Sequence, residues 1–294
     1  MMEAAPSNQH VRVCRFAGAG GDIGVGLVLD DQTLVDLRPA GFASLAELLD
    51  AESPAAAAMA AIGPGTAVPL AEVRLLAPVE RQEVWAAGVT YLRSKAARME
   101  ESDFSATAYD RVYDAVRPEI FFKSLGDKVV GPDEFVGIRR DAGWSVPEPE
   151  LALVMNRHGR LVGCTIGNDM SSRDIEGENL LYLPQAKIYD RSCSLGPWIL
   201  LTADEPAIRR WTIGISITRA GGEVFSGETG IQQIKRSFAD LTDHLWKSQS
   251  FPHGVILLTG TGVVPDESFT LAAGDRVTIG VSGIGSLSNT VEVV

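Results

Sequence analysis

The chain is poor in cysteine and has no excess of positive charge. Its three cysteines, Cys14, Cys164 and Cys193, are scattered along 294 residues. A disulfide framework and a zinc ribbon both need closely and regularly spaced cysteines, so neither is expected. Acidic residues outnumber basic ones by 38 to 26, giving a formal net charge of −12 at pH 7. Binding to nucleic acid needs a basic surface, so nucleic acid is not an expected partner.

The chain also lacks a long hydrophobic run. Its most apolar window, Ala55 to Ile62, is far shorter than the roughly 20 residues that a membrane-spanning helix needs. Residues 1–10 do not show the cationic and then apolar pattern of a secretion signal. We therefore expect no membrane partner and a soluble protein of the cytoplasm.

Several catalytic motifs are absent from the sequence. The glycines near residue 20 do not form the G-x-G-x-x-G pattern of a dinucleotide site, and there is no phosphate-binding P-loop. The segment Gly280–Ile284 begins like the G-x-S-x-G motif of serine hydrolases but lacks its last glycine. The four histidines, His10, His158, His244 and His253, are scattered, so a serine and histidine triad has no support.

The patterns that are present predict a β-rich α+β protein. Many short runs of valine, isoleucine and threonine are separated by glycine and proline, which number 30 and 15, as expected for strands joined by turns. Residues 44–62 predict a helix or a pair of helices, and the apolar spacing over Ile231–Lys247 predicts one amphipathic helix. We place a boundary near residue 78, between a small N-terminal domain, residues 1–78, and a larger domain, residues 79–294.

The stretch from Trp144 to Asp169 predicts a β-hairpin. Two apolar runs flank a polar turn that contains Gly159, which is typical of two antiparallel strands. Glu148 and Glu150 are two residues apart, so on a strand their side chains point to the same face. The hairpin therefore presents at least two carboxylates side by side.

The register of this hairpin decides whether a third acid joins the pair. A two-residue loop gives these pairs across the ladder: Glu150 with Thr165, Glu148 with Gly167, and Asp169 with Val146. Paired residues share a face, so all three acids lie on one side of the sheet. The other side then carries core residues, namely Leu151, Leu153 and Met155 against Val162, Cys164 and Ile166. A slip of one residue would bury the acids in that core, so the hydrophobic pattern specifies the register.

Three carboxylates on one face need a cation to offset their repulsion. Carboxylate oxygens without a nearby histidine or cysteine favour a hard cation, Mg²⁺, with Mn²⁺ or Ca²⁺ as alternatives, over Zn²⁺. Mg²⁺ prefers six ligands, so three carboxylates leave positions for a chelating substrate. The alternative is a solvated acidic strand end without a metal. We take Glu148, Glu150 and Asp169 as the candidate metal ligands.

Cationic and glycine-rich segments could complete such a site. Lys123 follows two phenylalanines, Lys187 lies between apolar segments, and Arg173 lies four residues after Asp169. The alternative for each is a surface charge, which is the commoner case. A lysine held beside acids would offset their charge and could transfer protons. The segment from residue 260 to 262 is either a loop that approaches an anionic ligand or a bulge in a strand.

Seven segments occur in a fixed order between Val84 and the C-terminus. They are Ala87–Tyr91, Arg117–Lys123, Glu148–Glu150, Asn168–Asp174, Lys187, Leu195–Pro197 and Leu258–Gly262. Together they resemble the fumarylacetoacetate hydrolase family, and the combination is far more specific than any single segment.

The resemblance implies a fold, an assembly and a set of ligands. The family's fold is an α+β, β-rich architecture, with a C-terminal domain of mixed, rolled β-sheets and a small N-terminal domain. Family members form homodimers or larger assemblies, so a homodimer or homotetramer is expected here. The family's metal ligands correspond to Glu148, Glu150 and Asp169, with Lys187 beside them.

Three positions differ from the hydrolases of this family. The members that cleave C–C bonds have asparagine and histidine where this chain has Thr90 and Ser94, and tend to have glutamine where it has Glu176. Without the histidine that activates water, hydrolysis is disfavoured. Three segments look instead like the branch that dehydrates 2-keto-3-deoxy-pentonates, namely residues 113–123, 144–150 and 178–189.

The resemblance therefore implies a Mg²⁺-dependent hydro-lyase whose partner is a small 2-oxo sugar acid. Such an enzyme removes the C4 hydroxyl of a 2-keto-3-deoxy-D-pentonate and yields 2,5-dioxopentanoate. Glu119 is the leading acid or base, with Lys187 as its alternative or partner. The expected substrate-binding residues are Arg173, Ser94, Lys123 and Thr261. Two other functions stay open: a metal-dependent C–C hydrolase or decarboxylase of 2,4-dioxo acids, and a non-catalytic 2-oxo-acid-binding protein.

Overall fold

The computed structural model describes residues 11–91 and 112–294. The N-terminal strands are β1 (Arg12–Ala17), β2 (Ile23–Val28), β3 (Thr33–Asp36), β4 (Thr66–Pro69) and β5 (Arg74–Leu76). Two helices lie between β3 and β4, α1 (Leu45–Leu49) and α2 (Pro54–Ala60), so the predicted helix pair is confirmed. Residues 92–111, which include Ser94, lie outside the described part.

The central region carries most of the candidate site residues. Its strands are β6 (Glu83–Gly88), β7 (Glu119–Leu125), β8 (Phe135–Ile138), β9 (Ser145–Val146), β10 (Pro149–Met155), β11 (Leu161–Asp169), β12 (Ser171–Ser172) and β13 (Cys193–Leu200). Its helices are α3 (Arg173–Glu178) and α4 (Leu183–Lys187). The last third of the chain contains α5 (Glu205–Ile208), β14 (Thr212–Arg219), β15 (Gly222–Gly230), α6 (Phe238–Trp246), β16 (Val255–Leu258), β17 (Arg276–Val281) and β18 (Gly285–Val293).

Two large sheets of mixed direction organise these elements. One has 11 strands in the order β4-β3-β2-β1-β13-β11-β10-β16-β6-β7, with β5 also paired to β1. The other has five strands in the order β15-β14-β17-β18-β8. The strands are mostly antiparallel, but β16 runs parallel to β6 and β18 parallel to β8. The predicted β-rich, mixed-sheet fold is confirmed. The division at residue 78 stays a prediction, and strands from both sides of it share the larger sheet.

The hairpin of β10 and β11 is buried on both faces. One face packs against the five-stranded sheet in a core that includes Leu151, Leu153 and Cys164. The other face packs Ala152 and Val154 against the N-terminal strands and helices. The acidic residues lie at the end of this second face, so they are enclosed by protein and not exposed at a strand end.

The hairpin register differs from the prediction by two residues. Glu150 pairs with Gly167, and the backbone N–H of Asp169 donates to the carbonyl of Glu148 at 3.0 Å. The loop has three residues instead of two, because the N–H of Asn156 donates to the carbonyl of Arg160. A bulge then adds one more residue to β11. Two shifts of one residue restore the original face, so the three acids do lie together.

The bulge also explains one misplaced core residue. Val154 pairs with Gly163, and Met155 pairs with Leu161, which leaves Val162 as the extra residue of β11. Val162 therefore packs with the N-terminal core and not with the opposite core, where it was predicted. A bulged strand rotates locally because two of its residues face one residue of the partner strand.

The long helix predicted over Ile231–Lys247 is wrong in its first half. Ile231–Gln233 forms a single 3-10 turn, Ile234 makes an isolated bridge to Tyr91, and α6 begins only after Ser237. The Ser237 hydroxyl accepts the N–H of Asp240 and caps the helix. The apolar residues of the whole segment are nevertheless buried, so the periodic pattern reflected burial rather than continuous helix.

The part of the chain that the structure describes contains no helix long and apolar enough to span a membrane. The cytoplasmic location stays a prediction.

Candidate active site

Three buried carboxylates meet at the end of the β10–β11 hairpin. Glu148 precedes β10, Glu150 lies in it, and Asp169 ends β11. The three residues are at most 2% exposed, and one oxygen from each lies within 4.8 Å of those of the other two. We call Glu148, Glu150 and Asp169 the acidic cluster. Burying three like charges so closely is unfavourable unless cations balance them.

Lys187 supplies one of these cations from the end of α4. Its Nζ lies 2.5 Å from Glu148 Oε2 and 3.1 Å from Asp169 Oδ2. It also donates to the Ser171 hydroxyl at 2.5 Å. The residue is 1% exposed. Lys187 therefore links two of the three acids and lies beside the cluster, the position that the family resemblance implied.

Lys123 supplies a second cation from β7. Its Nζ lies 2.5 Å from Asp169 Oδ1 and donates to the backbone carbonyls of Met170 and Lys187, at 2.9 and 2.5 Å. An ammonium group has three N–H donors; the two carbonyls take two of them, and the contact with Asp169 is an ion pair. Direct binding of a substrate by Lys123 would compete with this ion pair. In this geometry the lysine orients Asp169.

The two lysines and burial shift the pKa of the Asp169 carboxyl in opposite directions. Burial alone would raise the pKa of its carboxyl, but the charges and hydrogen bonds of Lys123 and Lys187 outweigh that effect and hold the pKa below its ordinary value. Asp169 is therefore ionised at neutral pH and ready to bind a cation.

The pKa of Glu150 is shifted in the opposite direction to that of Asp169. Burial, followed by the negative charges of Asp169 and Glu148, raises its pKa well above the ordinary value, although Lys187 and a backbone N–H lower it in part. That N–H belongs to Gly260 and donates to Glu150 Oε2 at 2.6 Å. The protein thus stabilises the charged form of Glu150 less well than that of Asp169.

Gly260 can make this bond only because it has no side chain. Its φ of +87° is in the left-handed region that favours glycine. A Cβ at this position would also lie 2.1 Å from the Thr90 hydroxyl. The segment from residue 260 to 262 therefore approaches the acidic cluster through its backbone. Next to it, the Thr261 hydroxyl donates to the carbonyl of Val263 at 3.0 Å.

Arg173 reaches the cluster from the first residue of α3. Its Nη1 lies 3.4 Å from Glu148 Oε1, its guanidinium is 5.5 Å from the centre of the Trp144 ring, and the residue is 2% exposed. Trp144 makes a cation–π contact with Arg173. The sequence did not predict that Trp144 contacts Arg173, or that the Ser171 hydroxyl accepts a hydrogen bond from Lys187. Both residues lie within segments that carry the family resemblance.

Glu119 lies on β7 opposite Gly88. Its carboxylate lies over that glycine, because a Cβ at position 88 would be 2.1 Å from Glu119 Oε2. Glu119 lines a cavity of about 310 Å³ whose other described wall residues are Val112, Arg117, Pro118, Glu176, Leu180 and Leu183. Three larger surface clefts, of about 610, 740 and 500 Å³, contain no residue of the acidic cluster, and no residue of the cluster lines the cavity of Glu119.

The donor set fits a hard divalent cation. All three candidate ligands are carboxylates, which suit Mg²⁺, Mn²⁺ and Ca²⁺. Burial, and after it repulsion by Asp169 and Glu148, raises the pKa of Glu150 despite the opposing charge of Lys187. A divalent cation in contact with Glu150 would relieve that repulsion. The residues present therefore fit a metal ion of the kind predicted.

Replacing Glu150 by glutamine is expected to stabilise the metal-free protein at neutral pH. A carboxyl whose pKa is raised by folding stabilises the protein below its ordinary pKa of about 4.3, and that stability is lost as the pH rises through the raised value. Glutamine keeps an acceptor for the Gly260 N–H without the charge. The free energy of unfolding of Glu150→Gln should therefore be higher than that of the wild type, and the difference between the two should grow as the pH increases.

Urea unfolding in EDTA between about pH 5 and about pH 8 measures this difference. Glu267→Gln, at an exposed loop position, is the control and should show no such dependence. A Glu150→Gln protein that is equally destabilised at every pH would contradict the assignment.

Comparison with known proteins identifies the family. The model of the fumarylacetoacetate (FAA) hydrolase C-terminal domain matches residues 83–292. This chain belongs to the fumarylacetoacetate hydrolase family. The acidic cluster, both buried lysines and Glu119 all lie within the matched residues.

Three relatives are similar over most of the chain. The "Probable 2-keto-3-deoxyxylonate dehydratase" of Haloferax volcanii is 46% identical over 217 residues, 74% of each chain. The 2-dehydro-3-deoxy-D-arabinonate dehydratase of Saccharolobus solfataricus is 39% identical over 227 residues, 75% of each chain. A solved structure of a 2-keto-3-deoxy-D-arabinonate dehydratase, complexed with magnesium and 2,5-dioxopentanoate, is 31% identical, with a TM-score of 0.80 over 96% of this chain and 99% of that one.

Proposed function

We propose that this protein is a Mg²⁺-dependent hydro-lyase that converts a 2-keto-3-deoxy-D-pentonate, the arabinonate or xylonate, to 2,5-dioxopentanoate. The observation that carries the proposal is the buried acidic cluster with Lys187 between two of its members. The relatives named as dehydratases, 46% and 39% identical to this chain, support the substrate class.

In this proposal Glu148, Glu150 and Asp169 hold the metal ion. When bound, Mg²⁺ would supply Lewis-acid polarisation of the C1 carboxylate and C2 carbonyl of the 2-oxo acid. The protein's cations have a separate task. Lys123 and Lys187 keep Asp169 ionised, and Arg173 contacts the outer oxygen of Glu148. Together they fix the direction in which the carboxylates point.

The proton transfers fall to Glu119, which lines the cavity, and to Lys187, which lies at the acidic cluster. Glu119 is proposed to remove a proton from C3, because its carboxylate lines the cavity and no histidine is available among the described residues of that wall. Lys187 is proposed as its partner in proton transfer. Arg173, Thr261, Lys123 and Ser94 are proposed to position the substrate. Lys123 is proposed to position the substrate indirectly, by holding Asp169, because its ammonium group contacts Asp169 and two backbone carbonyls.

The proposal is tested by mass analysis of reaction products. Purified protein loaded with Mg²⁺ should remove one water from a 2-keto-3-deoxy-D-pentonate, and EDTA should abolish the reaction because carboxylates alone cannot polarise the substrate. The same protein should leave 2,4-dioxo acids intact. Cleavage of a 2,4-dioxo acid into two fragments would favour the hydrolase or decarboxylase alternative. Binding of pyruvate or oxalate without turnover of any 2-oxo acid would favour a binding protein.

We also propose that the protein is a homodimer or homotetramer. The support is the exposure of two apolar residues next in sequence to the cavity-wall residues Arg117 and Leu180: Val116 and Leu181 are 89% and 83% exposed. Exposed apolar side chains that cluster near a site are often covered by a partner. Light scattering measures the mass in solution, and a value near the 31.4 kDa of one chain would contradict the assembly.

A further inference from the structure

A second buried carboxylate shares the cavity of Glu119. Glu176 is 1% exposed and lines the same cavity of about 310 Å³. The two other acids of α3, Asp174 and Glu178, are exposed. Glu176 is therefore the one acid of this helix that the fold places in the cavity wall.

Both carboxylates belong to elements that also reach the acidic cluster. α3 begins with Arg173, which contacts that cluster, and Glu176 follows three residues later, on the same face of the helix. β7 carries Glu119 at its start and, four residues on, Lys123, which is paired with the cluster. Phe121, between them, lies 5.8 Å from the Lys187 ammonium. The two cavity acids thus lie on two elements that each also carry a residue in contact with the acidic cluster.

The proposed dehydration needs proton transfers at separate places on the carbon chain. One proton must leave C3, the hydroxyl oxygen on C4 must gain a proton to depart as water, and a proton must later leave C5. Hydroxide is a poor leaving group near neutral pH, so a positioned acid should accelerate its departure. Two carboxyl groups on different walls of the cavity can serve different carbons of one substrate.

We infer that Glu176 is the acid that protonates the departing C4 hydroxyl, an assignment that rests on the proposed dehydratase function. Glu119 takes the C3 proton, the C4–O bond breaks with its electron pair on oxygen, and the Glu176 carboxyl proton turns that oxygen into water. The Glu176 carboxylate then takes a proton from C5, and Glu119 returns its proton to C3. The resulting enol becomes the C5 aldehyde when its hydroxyl proton moves to C4. Both carboxyl groups end in their starting states.

The test compares two leaving groups in Glu176→Gln. With the natural 4-hydroxy substrate, dehydration should fall by on the order of 10²–10⁴, the contribution typical of a general acid. With the 4-fluoro analogue, fluoride leaves without prior protonation, so fluoride release should stay close to the wild-type rate. Exchange of C3 protons with deuterium, followed by NMR, should also be retained. Glu119→Gln should lose all three reactions, because each begins at C3.

Controls separate this role from a structural one. Glu178→Gln changes an exposed acid of the same helix and should behave as the wild type in every assay. Glu176→Asp keeps a carboxyl drawn back by one methylene, and should slow dehydration while leaving fluoride release unchanged. These ratios between substrates report on the acid even if a variant is partly unfolded, since unfolding lowers both rates equally.

Each outcome decides between the two proposals. Equal loss of dehydration and fluoride release in the Glu176 variants would overturn the assignment of Glu176 as the acid. Normal dehydration by Glu176→Gln would overturn it as well, while leaving the dehydratase function intact. A wild-type protein that exchanges no C3 proton and removes no water would refute the proposed function itself, and the role of Glu176 with it.

Discussion

Glu119→Gln should lose turnover by about two to four orders of magnitude, the range observed when a general base is removed. Glutamine keeps the size of the side chain and a hydrogen-bonding oxygen, but it cannot accept a proton from carbon at neutral pH. The position tolerates the change sterically, because Glu119 lies over Gly88, where no side chain competes for space. The measurement is kcat for dehydration at saturating substrate.

The Mg²⁺ affinity of Glu119→Gln should be unchanged, since Glu119 is not a member of the acidic cluster. Isothermal titration of the metal into the variant therefore separates lost chemistry from a lost site. Glu267→Gln, at an exposed loop position, controls for the removal of a negative charge. Near-normal kcat in Glu119→Gln would remove this residue from the mechanism and leave Lys187 as the leading acid or base.

Lys187→Met should strongly destabilise the metal-free protein. The substitution removes a cation that lies 2.5 Å from Glu148 and 3.1 Å from Asp169 and leaves both carboxylates buried without it. Breaking a buried ion pair from one side costs about 3–5 kcal/mol in comparable cases. Methionine fills a similar volume, so the effect should report the charge and not a cavity. The free energy of unfolding from urea titration in EDTA measures the loss.

Mg²⁺ should recover part of the stability lost in Lys187→Met, because a divalent cation at the acidic cluster replaces the missing positive charge. The matched control is Lys128→Met. Lys128 pairs with Asp190 at 3.4 Å, but the two side chains are 58% and 76% exposed, and such surface pairs contribute little. If Lys187→Met were as stable as Lys128→Met, the lysine would not be holding the cluster together.

The shared face of the three acids could be predicted from sequence, but its register could not. Strand periodicity placed Glu148 and Glu150 on one side, and the hydrophobic pattern on β10 and β11 allowed only shifts by an even number of residues. The actual shift of two comes from a three-residue loop and a bulge. The loop is stabilised because Asn156 Oδ1 accepts hydrogen bonds from the backbone N–H groups of His158 and Arg160. Local residue propensities do not distinguish this three-residue loop from a two-residue turn.

The limits of periodicity are clearest at residues 231–247. The buried apolar residues repeat as they would in a helix, yet the first half is a 3-10 turn and a bridge to Tyr91. Burial requires only that apolar side chains face the core, and more than one backbone conformation meets that requirement. Ser237 decides where the helix begins, because its hydroxyl satisfies a backbone N–H that would otherwise lack a partner.

The sequence by itself determined the β-rich fold, the common face of Glu148, Glu150 and Asp169, and the membership of the family. These follow from local periodicity and from the order of short segments, which need no knowledge of distant contacts. Only the tertiary structure decided how the charges are balanced: Lys123 comes from β7, Lys187 from α4, and the Gly260 N–H from beyond β16. It also brought Glu176 to the cavity of Glu119. Such groups are up to 110 residues apart along the chain, and their distances in space are set by sheet order and packing, which no local pattern encodes.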